Sequence, residues 1–365
     1  MQSRIQMMKW LDRLIGKGVA SCLPGSGKKV PVADPRRFLV IRPGGIGDAA
    51  MLAPALLAIQ SAYPSADLDV LAERRNAGVF PLIPGIRRTL RYDVPRELLA
   101  ALRGGYDLVI DTEQWHRLSA IVTRFAGAPR TIGFATNERE RLFTDPVAYS
   151  HDWYEAEAFC RLLEPLGIAL CPVDPPFLTV PPAATAKAQE LLGPLAGQPF
   201  AVLYPGASIP ERRWGTAKFR QVGEGLRSQG IVPVVVGGAE DGPAGEAIVA
   251  PDGLNLAGRT TLAETAAVIA GSRLLMGGDS GILHLAVGLG TPTVSLFGPG
   301  IEAKWGPCGF RHRVLNRHLA CSPCTRFGTT PHCPHGARCM AEIEPEEVLA
   351  ACWDLLAAAS AGNMP

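Results

Sequence analysis

At 365 residues, 47% hydrophobic and 19% charged, with a formal charge of +2, the chain is an ordinary globular protein with material for two cores. That balance excludes a disordered chain and gives no electrostatic reason to expect a nucleic-acid partner. No apolar run spans a bilayer and no signal-peptide core opens the chain, so a cytoplasmic protein is expected.

Residues 1–37 read as a basic amphipathic leader and linker. Ile5, Met8, Leu11 (or its neighbour Trp10), Leu14 and Ile15 share one helical face, while Arg4, Lys9, Arg13 and Lys17 carry the charge. Ser21 to Asp34, rich in Gly, Pro and Lys, is a linker. Such a segment either lies on an anionic membrane through residues 1–20, packs on the protein as a helix, or is a poorly ordered tail.

From Phe38 the chain alternates strands with helices, which predicts an α/β protein with parallel sheets wound in the Rossmann manner. Phe38 to Ile41 is a buried strand followed by Arg42-Pro43-Gly44-Gly45-Ile46-Gly47-Asp48 and a helix carrying Met51, Leu52, Ala55, Leu56 and Ile59. Strands follow at Leu68 to Leu71 and Leu108 to Ile110, and helical patterns at 116–126 and 153–166. Asp67-Leu68-Asp69 matches the Asp-x-Asp of metal-dependent sugar transferases, but its alternation reads as the solvent side of an edge strand. The glycine turn has two readings. Gly45-Ile46-Gly47-Asp48-Ala49-Ala50 fits a dinucleotide fingerprint with Glu73 as the ribose acid, so a nicotinamide or flavin oxidoreductase is a rival. Against it, the Asp48 carboxylate would repel a pyrophosphate, and it looks more like a catalytic base facing a cleft. A plain helix cap is compatible with either.

Cys171-Pro172-Val173-Asp174-Pro175-Pro176 and Pro181-Pro182 mark a crossing into a second alternation. Phe200 to Tyr204 ends in Pro205-Gly206-Ala207-Ser208, with Arg212 and Arg213 nearby; Ile231 to Val236 ends in Gly237-Gly238-Ala239-Glu240. Leu274 to Gly277 then stops at Gly278-Asp279-Ser280-Gly281, and Ile282, Leu285, Ala286 and Leu289 recur at helical spacing. A turn of this kind at a helix start suits a diphosphate, although an isolated Asp-Ser-Gly is more often a cap.

These motifs jointly resemble glycosyltransferase family 9, the heptosyltransferases of lipopolysaccharide synthesis. The resemblance rests on Val40 to Asp48, Tyr204 to Ser208, Arg212-x-Trp214, Gly278-Asp279-Ser280-Gly281 with His284, and Leu296-Phe297-Gly298-Pro299, and it covers roughly residues 38–350. It implies a GT-B architecture: an acceptor-side domain over 38–180 facing a nucleotide-sugar domain over 185–340 across a cleft, and a final helix within 344–365 returning to the first domain. It further implies inverting transfer without a catalytic cofactor or metal, from a nucleotide sugar that is usually ADP-heptose, to lipopolysaccharide inner core or a related lipid-linked glycan. Asp48 stands at the family's catalytic base, with Gly44, Gly45 and Gly47 forming the acceptor-side loop. Ser208, Arg212, Glu240, Asp279, Ser280, Gly281 and His284 map to the donor site. Arg212 falls where many members have Lys, and Ala207 lacks the hydroxyl some members carry. A sugar-nucleotide-binding protein without turnover is a third reading.

Cys321, Cys324, Cys333 and Cys339, opening on C-x-x-C, are candidate ligands for a structural zinc, with free thiols, a disulfide or another metal as alternatives. With this acceptor the expected location is the cytoplasm, with peripheral contact at the inner membrane through residues 1–20.

Overall fold

The computed structural model describes residues 10, 12–27, 32, 34–168, 171, 173–326 and 329–360. The chain divides between Val173 and Asp174 into two units. Unit 1 is built on six strands: β1 (Arg37–Arg42), β2 (Asp67–Ala72), β3 (Ile86–Arg91), β4 (Leu108–Asp111), β5 (Arg130–Phe134) and β6 (Asp145–Val147). They are parallel throughout and lie in the order β3-β2-β1-β4-β5-β6. Unit 2 repeats the plan with β7 (Phe200–Tyr204), β8 (Val232–Val235), β9 (Leu254–Asn255), β10 (Leu275–Gly278), β11 (Thr293–Phe297) and β12 (His312–Asn316). Its order is β12-β11-β10-β7-β8-β9, again parallel. Each unit is therefore doubly wound, and the α/β architecture of two Rossmann-like units is the one expected.

The central strands explain themselves. Phe38, Leu39, Val40 and Ile41 are all buried, because a parallel strand is covered on both faces and has no polar side to show. In β10 and β11, Leu275, Met276, Val294, Leu296 and Phe297 repeat the pattern. The order in each sheet also creates a switch point, between β1 and β4 in unit 1 and between β7 and β10 in unit 2. At such points the connections leave the sheet on opposite faces, and a crevice opens at the carboxyl ends of the strands.

One expectation changes. The strand holding Asp67 and Asp69 is not an edge, since β3 lies outside it, and Asp69 is buried rather than solvent-facing. Its carboxylate takes hydrogen bonds from Arg87, Arg88 and the Tyr106 hydroxyl at 2.6–2.9 Å, which leaves it no role as a metal-holding acid. The final helix, Pro345–Ser360, packs within unit 2 on the helix Thr216–Ser228 and on β11 and β12. Val348, Cys352 and Leu355 join Trp214 and Phe219 in that unit's core.

The leader is described in part. Arg4, Ile5, Met8, Lys9 and Leu11 lie outside the described residues. From Asp12 the chain makes one π-helical turn (Asp12–Gly16) and a short helix (Lys17–Cys22) against the helix Arg117–Phe125. The inward residues are Asp12, Gly16 and Ala20, whereas Trp10, Leu14 and Ile15 are 58%, 58% and 51% exposed. Asp12 faces inward because it accepts the free N–H groups of Arg117 (2.6 Å) and Leu118 (2.9 Å), capping that helix. Burial alone would raise its carboxyl, but His116 and these N–H groups hold it below the usual range.

The deepest polar contact in unit 1 is the pair Arg139–Asp111, 2.7 Å apart with both side chains fully buried. Arg139→Met is expected to lower the unfolding free energy by about 3–5 kcal/mol in urea titrations, because it strands a buried carboxylate. The double variant Arg139→Met/Asp111→Leu should recover most of that loss.

Candidate functional site

In unit 1 the chain leaves β1 through Pro43 and Gly44 and enters the helix Ile46–Met51. Gly44 has φ +113°, and a Cβ there would lie 2.8 Å from Arg42 Nη2 and 3.2 Å from Asp48 Oδ2. Only glycine fits this position. Asp48, in the first turn, turns back to accept the N–H of Gly45 at 3.3 Å. It is therefore a cap, as the bland reading held, and its side chain is still 29% exposed.

Behind it the Arg42 guanidinium is almost wholly buried. Nη2 lies 3.9 Å from Asp48 Oδ2 and 3.7 Å from Oε2 of Glu113, while Nη1 donates to the Thr112 carbonyl at 2.9 Å. Phe159 covers its face. Glu113 follows β4, so Asp48 and Glu113 stand on the two sides of the unit 1 switch point. Burial would push Glu113 up, but the charges of His116, Arg42 and Arg139 bring its carboxyl below the usual range. Tyr149 is pushed up, first by burial and then by Glu155, Glu113 and Asp48, so its phenol stays protonated.

The dinucleotide reading of this turn loses its chemistry. The Gly45 N–H that would meet a pyrophosphate is already bonded to a carboxylate. Glu73, the expected ribose acid, is engaged by the Tyr92 hydroxyl and by Arg75.

In unit 2 the turns after β7 and β10 flank the second switch point. Asp279, 6% exposed, pairs with Arg212, its Oδ2 lying 2.8 Å from Nη1. A Cβ on Gly300 would fall 2.1 Å from the same carboxylate oxygen, so the turn after β11 presses on it and needs glycine there. Ser280 caps the helix Gly281–Gly288 by accepting the Leu283 N–H at 3.3 Å, and His284 is buried on the first turn. Arg212, Asp279, Ser280, Gly281 and His284 thus belong to one neighbourhood.

Ser208 is exposed at the end of the β7 turn, and Glu240 is exposed after β8. Beside Glu240, the acid the sequence reading passed over is Asp241. It is buried, accepts the Gly238 N–H at 3.1 Å, and lies where a Cβ on Gly206 would come within 2.6 Å. Burial pushes its carboxyl up. The signal in the sequence was the close-approach glycine of Pro205-Gly206, which needs a partner opposite it.

Cys321, Cys324, Cys333 and Cys339 come near one another: the Cys324 and Cys339 thiols are pushed up by burial and then by the other cysteines. All four are free thiols, and Cys333 Sγ accepts the Ala337 N–H at 3.3 Å. Among the described residues, no group of three or more Cys, His, Asp or Glu is placed to hold a metal ion, so the zinc expectation lacks a fitting ligand geometry. Elsewhere, Cys160 and Cys171 are joined as a disulfide.

The sequence model described as glycosyltransferase family 9 (heptosyltransferase) matches residues 96–333, more than half of the chain. Lipooligosaccharide heptosyltransferase 2 of Haemophilus influenzae is 29% identical over 289 residues, covering 72% of this chain and 83% of that protein. Lipopolysaccharide heptosyltransferase 2 of Salmonella typhimurium is 25% identical over 347 residues, covering 88% and 98%. Among solved structures, ADP-heptose lipopolysaccharide heptosyltransferase II of E. coli superposes with a TM-score of 0.73 at 24% identity, over 89% of this chain and 99% of that one. A family 9 glycosyltransferase of Veillonella parvula also gives 0.73, at 20% identity over 88% and 97%.

The cysteines give a direct check. In native protein, Cys22, Cys308 and Cys321 are exposed and should react first with a thiol reagent. Cys352, buried and pushed up to about 12, should wait for unfolding. A four-thiolate zinc would reverse this at Cys321, protecting it until a chelator is added.

Proposed function

The chain belongs to glycosyltransferase family 9, and from that premise we propose that it is an inverting, metal-independent heptosyltransferase. It moves a heptose or related sugar from an ADP-sugar to a lipopolysaccharide core or related lipid-linked glycan. The observation that carries this reading is the pairing of chemistries at two switch points. One holds a half-open carboxylate, Asp48, and the other holds a cation, Arg212, beside a helix start.

The acceptor hydroxyl attacks C1 of the bound sugar. The new O–C1 bond forms as the bond from C1 to the phosphate oxygen breaks, and the electron pair leaves on ADP. Asp48 takes the hydroxyl proton as general base. The charge growing on the diphosphate is met by Arg212 and by the N-terminal end of the helix Gly281–Gly288. Asp279 orients Arg212 through the 2.8 Å ion pair. Ser280, Gly281 and His284 form the wall at that helix start, with Ser208 and Glu240 on the adjacent turns. Gly44, Gly45 and Gly47 keep side-chain bulk away from Asp48 on the acceptor side.

The enzyme works in the cytoplasm, at the cytoplasmic face of the inner membrane, where a lipid-linked acceptor is presented. Among the described residues no helix is long and apolar enough to cross a membrane. The leader supports peripheral contact instead. Trp10, Leu14 and Ile15 face solvent beside Lys17, and Asp12 is turned inward, which suits contact with an anionic lipid surface.

Two measurements test the reading. With ADP-heptose and lipopolysaccharide core, Asp48→Asn should lower turnover by roughly 10²–10⁴-fold while ADP affinity by calorimetry stays unchanged. Turnover surviving within a few-fold would reduce Asp48 to a helix cap, and loss of ADP binding would make the turn a nucleotide site. Separately, Leu14→Glu/Ile15→Glu should weaken cosedimentation with phosphatidylglycerol vesicles on the order of 10- to 100-fold and leave the thermal midpoint in place.

A further inference from the structure

The buried group nearest Asp48 is a cation, and that raises a difficulty. An arginine bonded directly to a carboxylate favours its ionised form and weakens it as a proton acceptor. Arg42 does not bond Asp48 in that way. Its Nη2 lies 3.9 Å from Asp48 and 3.7 Å from Glu113, both beyond hydrogen-bond length, so one nitrogen faces two carboxylates and is held by neither. Its remaining nitrogens are fixed by carbonyls, Nη1 on Thr112 and Nε on Pro43. Phe159 closes one face and Gly44 fills the corner beside Asp48. The guanidinium has nowhere else to go.

We propose that Arg42 and Glu113 are positioning residues that tune Asp48 as the base, by dividing one buried cation between two carboxylates. The trio carries one positive and two negative charges, so it is one negative charge in excess. The proton arriving from the acceptor hydroxyl removes that excess. Glu113 thus restores the basicity that Arg42 alone would take away, while Arg42 makes the two acids tolerable in one crevice. This rests on Asp48 being the base.

His116 and Arg139 also lower the Glu113 carboxyl, but Arg42 is the cation placed between it and Asp48. Arg139 gives Nη2 to Asp111 and Nη1 to the Glu113 backbone carbonyl. His116 lies on the far side of Glu113, toward Asp12. Glu155, at the start of the helix Glu155–Arg161, is buried and accepts a hydrogen bond from Gln114. Tyr149 remains a neutral phenol, held up by burial and by the surrounding acids. Glu113 also accepts the N–H groups of Trp115 (3.0 Å) and His116 (3.2 Å) through Oε1, and a glutamine oxygen can do the same. Glu113→Gln therefore separates charge from scaffolding.

The experiment is the pH profile of kcat/KM in three variants, each checked for an unchanged thermal melt. Glu113→Gln leaves Arg42 undivided beside Asp48, so the acid limb should move to lower pH. Arg42→Gln leaves two acids facing each other, so the limb should move to higher pH, with turnover falling by up to about 10²-fold. Arg42→Lys keeps the charge and should return the limb toward wild type. Limbs that stay in place in both neutral variants, or that move in the same direction, overturn the proposal and make the pair structural. Where a variant melts early, the 13C carboxyl signal of Asp48, assigned by its loss in Asp48→Asn, is followed against pH in the remaining soluble variants. That signal needs no substrate: opposite displacements support the proposal even if wild-type protein transfers no sugar, a result that would sink only the heptosyltransferase reading.

Discussion

A parallel sheet that begins in its middle must grow outward on both sides, and this constraint organises the chain twice. After β3 the chain returns to the far side of β1 to lay down β4, and after β9 it returns to the far side of β7 to lay down β10. Each return leaves two neighbouring strands whose connections depart on opposite faces. Polar residues gather there. Asp48 and Glu113 flank one gap, and Arg212 and Asp279 flank the other.

The two gaps are charged differently. In unit 1 one arginine faces two acids. In unit 2 one arginine meets one acid at 2.8 Å beside the positive end of a helix. The proposed roles, a base at the first and diphosphate binding at the second, follow this difference. In each arrangement one partner, Arg42 or Asp279, is buried away from solvent. The carboxylates and cations act at short range in a medium of low polarisability, where small geometric differences weigh more than they would in water.

Much of this was legible in the sequence because the signals were local. Apolar runs ending in glycine turns mark β1, β7, β8 and β10, and the residues after β1, β7 and β10 lie at the switch points. What escaped was non-local. The burial of Asp69 depends on β3, an arginine-rich strand with little apolar alternation, so nothing in Arg87 and Arg88 announces a sheet neighbour. Glu113 carries no motif of its own and becomes interesting only because β4 lies beside β1. Asp241 was masked by Glu240, one residue away, whose exposure no periodicity reveals. The leader's apolar stripe was visible, but its direction was not, because the force that orients it is one aspartate finding the end of a distant helix.

That aspartate also changes where the folded unit can be cut. Composition suggests trimming the chain at the Gly- and Pro-rich segment before β1. A chain shortened there would lose the acceptor for the Arg117 and Leu118 N–H groups and the Ala20 that fills the space beside Ala120 and Phe143. The helix cap alone is worth about 1 kcal/mol, and the helix it serves ends on the buried face of β4 and β5. The same removal would take Asp12 from His116 and Arg117, leaving Arg117 paired with Glu138. Shortened protein would therefore differ from the full chain in charge at that face as well as in stability, and behaviour measured on it would not transfer.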